Sequence, residues 1–121
     1  MSTGIIVFAH GSRIESANDG VRALAAALAR AGSFAHVEPA FLELGKPDLP
    51  GAVDILAARG VDRIVVIPYF LTLGIHLERD LPRLVNDLMT SHPGIAIRVM
   101  PPLEGHPGLV QILLDRFTEA L

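Results

Sequence analysis

The 121 residues contain no cysteine, no tryptophan and a single tyrosine. Without thiols there can be no disulfide, no thiolate metal site and no cysteine nucleophile. Aromatic residues make up 5% of a chain that is 50% apolar, so whatever core forms must be mostly aliphatic. Positive charge is also short: ten Lys and Arg stand against thirteen Asp and Glu, for a net charge of −3. With no basic stripe, a general nucleic-acid binder is disfavoured. No apolar run approaches the roughly 20 residues needed to cross a bilayer. The opening "MSTGIIVFAH" lacks the basic segment of a signal peptide. A cytoplasmic protein forming one domain over residues 1–121 is the expectation.

Four stretches read as strands. "GIIVFA" (4–9) and "RIVVIPYF" (63–70) are nearly continuous runs of β-branched and aromatic residues, the pattern of parallel strands covered on both faces. "HVEPAFLE" (36–43), interrupted by Pro39, and "GIAIRVM" (94–100) are weaker versions. Helical patterns alternate with them. Residues 21–32 are rich in Ala and Leu and end on Gly32; residues 47–60 offer Asp48 as a cap and Pro50 in the first turn. Residues 79–94 repeat that start with Asp80 and Pro82, and residues 106–121 close the chain. The alternation predicts an α/β fold: three layers, α/β/α, around a four-stranded parallel sheet with flavodoxin-like winding. Ligands of such sheets bind at the carboxyl ends of the strands.

Three of those ends carry chemistry. The first strand runs into "HGSR" (10–13), the second into Glu43, and the third into a loop holding Gly74 and His76 before the next helix. If all strands are parallel, His10, Glu43 and His76 share one rim. Two neutral imidazoles and a carboxylate suit a divalent first-row metal, or serve as proton acceptors near neutrality. Each residue taken singly also has a plain structural reading: a strand-end cap, a solvated carboxylate, a loop histidine. His36, His92 and His106 sit at strand or helix ends and read as structural. Gly11 and Ser12 entering a helix could instead cradle a phosphate with Arg13. However, neither G-x-G-x-x-G nor a Walker lysine is present, and G-x-S-x-G is missing for a hydrolase.

"VFAHGSR…N" (7–18), "FLELGKPDLP" (41–50) and "GVDRIVVIPYFLTLGIHLERDLP" (60–82) together resemble the CbiX/SirB family of sirohydrochlorin chelatases, in the right order along the first two-thirds of the chain. These are class II chelatases, related in fold to protoporphyrin ferrochelatase. The resemblance implies a lyase-class enzyme that inserts a divalent metal into sirohydrochlorin on the way to cobalamin or sirohaem. Cobalt is the leading candidate metal, with iron or nickel as alternatives. His10 and His76 take the positions of the metal-contacting, catalytic histidines. Glu43, Arg13, Ser12, Gly74 and Arg79 are the residues expected to face the tetrapyrrole, with Lys46 behind them.

In this reading the metal ion is a substrate, and no tightly held cofactor is expected. The chain resembles the short, single-lobe form, which pairs as a homodimer around its substrate; neither nucleic acid nor membrane is an expected partner. A non-catalytic tetrapyrrole or metal carrier on the same lobe is the competing reading.

Overall fold

The computed structural model describes residues Met1–Leu121. Strands and helices alternate as expected: β1 (Thr3–Ala9), α1 (Glu15–Gly32), β2 (Val37–Phe41), α2 (Leu49–Ala58), β3 (Arg63–Pro68), α3 (Gly74–Ser91), β4 (Ala96–Val99) and α4 (Gly108–Glu119). All strand pairs are parallel, in the order β2-β1-β3-β4. The chain winds outward once and then reverses across β1. That reversal puts α1 on one face and α2 and α3 on the other, because parallel crossovers keep one hand.

Each face has its own core. Ile6, Phe8, Ile64, Val66 and Ile97 point to the α2–α3 side, where they meet Leu49, Val53, Leu56, Leu77, Leu81, Val85 and Leu88. Val7, Ala9 and Phe41 point the other way, against Val21 and Ala25 of α1. β1 is therefore covered on both sides, which explains why its sequence does not alternate.

Helix boundaries depart from expectation where the sequence offered no cap. α2 begins as predicted: the Asp48 carboxylate accepts from the Gly51 amide at 2.8 Å, with Pro50 in the first turn. α1, expected from residue 21, starts at Glu15; its first turns are exposed except for Asn18, so apolar periodicity appears only from Val21. It stops at Ser33, left-handed at φ 54°, and Gly32 lies inside the helix. α3, expected from residue 79, begins at Gly74, with no side-chain cap on Leu73. Asp80 and Pro82 consequently lie within the helix rather than at its start, and His76 and Gly74 belong to its first turn rather than to a loop. The exposed Pro82 sits off the buried stripe of Leu77, Leu81, Val85 and Leu88, which holds the helix despite the missing amide.

α4 forms, but none of its residues is buried. The face of β3 and β4 on the α1 side carries no helix: Val65 and Ile67 are half-buried, while Arg63, Ala96 and Arg98 are exposed. No helix is long and apolar enough to cross a membrane.

Candidate functional site

His10 follows directly on β1, at the carboxyl end of the central strand. The turn after it depends on Gly11, whose φ of +94° is open to glycine; a Cβ there would overlap the Glu43 carbonyl oxygen. The close approach continues the sheet past its strands. The Leu42 amide donates to the Ala9 carbonyl at 2.9 Å, and the Glu43 amide to the His10 carbonyl at 3.1 Å.

Asn18, 1% exposed, ties this corner together. Its Oδ1 accepts from the Ser12 amide at 2.9 Å. Its Nδ2 lies 2.9 Å from the carbonyls of both Ser12 and Leu44, and 3.3 Å from the Glu15 carboxylate. The Ser12 hydroxyl in turn accepts from the Ile14 amide at 3.1 Å. Two amides that a phosphate cradle would need are therefore already used, and the loop is not an open anion nest.

The His10 ring meets the edge of Phe70, with centroids 6.3 Å apart. Its Nδ1 is 3.2 Å from the Gly11 carbonyl, a contact that favours the Nδ1–H tautomer and leaves the Nε2 lone pair outward. Nε2 lies 3.8 Å from a Glu43 carboxylate oxygen, and both side chains are more than half exposed. Beside this corner, Arg22 donates to Glu15 at 2.6 Å, to Asp19 at 2.8 Å and to the Lys46 carbonyl at 3.0 Å. The guanidinium also covers Phe41 at 5.2 Å. The hydrogen bond from Arg22, aided by Asn18, holds the Glu15 carboxyl below its ordinary value; the same pair, with Asp19, raises Arg22.

His76 reaches the rim from the other direction. β3 ends at Pro68, the Tyr69 amide donates to the Phe8 carbonyl at 2.6 Å, and the chain turns through Gly74 at φ +78° into α3. An open groove of about 460 Å³ then runs between the corners, lined by His10, His76, Leu42, Phe70, Thr72 and Asp80 among others. Ile14, Leu42, Leu44, Tyr69, Leu71 and Ile75 are exposed around these strand ends. So large an apolar surface beside two imidazoles suits a flat, ring-shaped ligand.

The structure joins the two histidines but not the full expected trio. Glu43 lines the neighbouring recess with Glu15, Arg22 and Lys46, and no three His, Asp or Glu side chains form a ready-made metal cage. Arg13 is exposed at the start of α1, and Arg79 pairs with Asp80 at 3.1 Å. Phe70 and Asp80 line the groove although the sequence reading placed neither in the site, taking Asp80 for a helix start. Asp80 stands one helical turn after His76, a spacing that shows only once α3 is known to begin at Gly74.

Two of the other histidines have structural partners. His92 ends α3 with Nε2 3.0 Å from Asp54, and the His106 ring accepts the Gly108 amide at 2.8 Å to start α4. His36 carries a buried Nδ1 without a partner, and its carbonyl accepts from Ile5.

The CbiX family model matches residues 4–120. Among curated proteins, the sirohydrochlorin cobaltochelatase of Methanopyrus kandleri is 31% identical over 97% of this chain and 96% of its own length. The chloroplastic sirohydrochlorin ferrochelatase of Arabidopsis thaliana is 32% identical over 98% of this chain, which spans 52% of that longer protein. Among solved structures, a CbiX protein from Marinobacter aquaeolei VT8 superposes with a TM-score of 0.85 at 30% identity, covering 98% and 96% of the two chains. The sirohydrochlorin chelatase SirB of Bacillus subtilis subspecies spizizenii, solved with cobalt, gives a TM-score of 0.89. At 24% identity, with 98% of this chain on 51% of that one, the likeness is one of fold. The chain belongs to the CbiX family.

Proposed function

We propose that this CbiX-family chain is a sirohydrochlorin metal chelatase, working as one lobe over residues 1–121 at the His10–His76 groove. What carries the reading is that a single groove at the strand carboxyl ends is lined by two imidazoles and an aromatic ring. The names of its relatives give the substrate class, with a cobaltochelatase and a ferrochelatase both near 30% identity.

Metal insertion exchanges two pyrrole N–H protons for one dication, so the site must accept protons and help strip water from the ion. A neutral imidazole does either. His10 presents an outward Nε2, and Glu43 stands 3.8 Å from it as a counter-charge when that nitrogen is protonated. His76 faces the same groove with Asp80 beside it. The exposed apolar side chains take the macrocycle's faces. Arg13 and Arg79 meet its peripheral carboxylates, and Ser12 and Gly74 shape the two turns. Cobalt is the metal we assign first, with iron or nickel as competitors, because all three accept imidazole. A second copy of the chain supplies the opposite wall.

Visible-absorbance titration of sirohydrochlorin with each metal, with and without protein, tests the reading. Turnover beyond one equivalent per site is expected. His10→Ala and His76→Ala should each lower the rate at least ~100-fold, with far-UV circular dichroism unchanged. Stoichiometric binding without turnover would instead make the chain a carrier. His92→Ala as damaging as His10→Ala would remove the site assignment.

A further inference from the structure

We infer that Asn18 is a positioning residue for metal capture: its buried amide fixes the Glu43 loop to the turn after His10, and so sets the carboxylate where an ion on His10 can use it. This rests on the chelatase reading above and deepens it, by naming what holds the two metal-facing residues in one frame.

The Glu43 side chain is more than half exposed, and its 3.8 Å approach to His10 Nε2 is too long for a hydrogen bond. Its place beside the imidazole is therefore set by the backbone that carries it. That backbone is held on both sides. The Glu43 amide donates to the His10 carbonyl at 3.1 Å, and the carbonyl of the next residue, Leu44, accepts from Asn18 Nδ2 at 2.9 Å. On the other loop, the same side chain binds the amide and the carbonyl of Ser12, two residues after His10, at 2.9 Å each. One amide group, 1% exposed, thus spans both loops.

The loop so held does not keep its shape unaided. Leu44 stands at φ 57°, a left-handed conformation that costs a non-glycine residue free energy and persists only where its surroundings impose it. Arg22 braces the loop two residues further on, through the Lys46 carbonyl at 3.0 Å. Its side chain is one-third exposed, so water can replace that bond. Asn18 is sealed from water, and nothing replaces it. Packing alone does not call for this residue either. A buried amide is costly unless its polar atoms are paired, a demand that an aliphatic side chain of similar size does not make. What the amide adds is a fixed distance between two backbones, one carrying His10 and the other Glu43.

The probe is cobalt(II) alone, titrated into the full chain and followed by calorimetry and by the visible absorption of the bound ion. Asn18→Ala should weaken cobalt binding about 10-fold or more, and alter the absorption in the same way as Glu43→Gln. In the Asn18→Ala background, Glu43→Gln should add less than about 2-fold, because the carboxylate is already out of place. Val53→Ala, a core truncation on α2 that also lowers stability, should leave cobalt affinity unchanged. Gly45→Ala disturbs the contact from the other loop: its methyl would lie 3.2 Å from Asn18 Nδ2 and 2.8 Å from the Phe41 ring. It should reproduce the Asn18→Ala result, and it carries the test if the Asn18→Ala chain fails to fold by far-UV circular dichroism. An unchanged affinity in Asn18→Ala overturns the proposal, as do additive losses in the double variant or an equal loss in Val53→Ala. So does a wild type that takes up no cobalt. Turnover is scored separately: an intact cobalt cycle without metal insertion strikes the chelatase reading alone, and insertion with additive losses strikes the role of Asn18 alone.

Discussion

The two corners that carry His10 and His76 are held in different ways. Around His10, a buried amide side chain binds both loops, the neighbouring backbones are hydrogen-bonded to each other, and Gly11 permits a contact no other residue would. Around His76, the helix starts without a side-chain cap, and Gly74 turns in open space. The Phe70 and Leu71 carbonyls there are bound by Leu103 and Glu104, from the connection into α4. One histidine is thus positioned by residues within about one supersecondary unit. The other takes its support from the connection that leads into α4. The connection into α4 therefore bears on His76, and it reaches His10 only through the ring of Phe70.

Gly11→Ala should damage the first corner most. A positive-φ strain of ~1–3 kcal/mol adds to direct overlap with the Glu43 carbonyl, so we expect more than ~3 kcal/mol lost in urea unfolding, and insertion activity lost with it. Asn18→Ala comes next. It strands the Ser12 amide and two carbonyls in a part-buried corner, at roughly 2–4 kcal/mol. Asn18→Asp keeps the acceptor but sets a carboxylate oxygen against two carbonyls and Glu15, and should cost at least as much as the alanine variant. Gly74→Ala is the counterpart on the other side: φ is again positive, yet nothing lies within 4 Å of the new methyl, so about 1 kcal/mol is expected. If Gly74→Ala proved as costly as Gly11→Ala, the contrast between the corners would fail.

The smallest effect is acidic. Glu15 has its carboxyl lowered by Arg22 and Asn18 in the folded state, so its contribution is present above the unfolded value of 4.5 and is lost as pH falls through the lower folded one. The difference in urea midpoint between wild type and Glu15→Gln should be small at pH 7 and vanish in acid below that window. A difference that grew in acid would mean the Glu15–Arg22 contact does not hold the corner.

Much of this was legible in the chain itself. The unbroken apolar runs at β1 and β3 announced a covered parallel sheet, and Asp48 with Pro50 announced α2. The same D-x-P spacing at Asp80 and Pro82 misled, because a capping pattern looks identical inside a helix whose true start has no cap. That error hid the His76–Asp80 relation on one helical face. Asn18 lay within a recognisable motif, yet one of its partners, the Leu44 carbonyl, is 26 residues away, a contact that local pattern does not report. The existence of α4 was legible as a last helical segment. The open face of β3 and β4 was not, since it becomes visible only when the strands are assembled.

The winding that seats β1 between β2 and β3 also has a consequence during synthesis. β1 leaves the ribosome well before its register partners in β3, which begin at Arg63. At about 5–20 residues per second, that leaves an apolar strand with an unpaired edge for roughly 3–12 s. No hairpin offers an earlier refuge, because every strand pair is parallel and needs a crossover. Until then "GIIVFA" keeps one edge unpaired, and the emergence of β3 is the event that closes it.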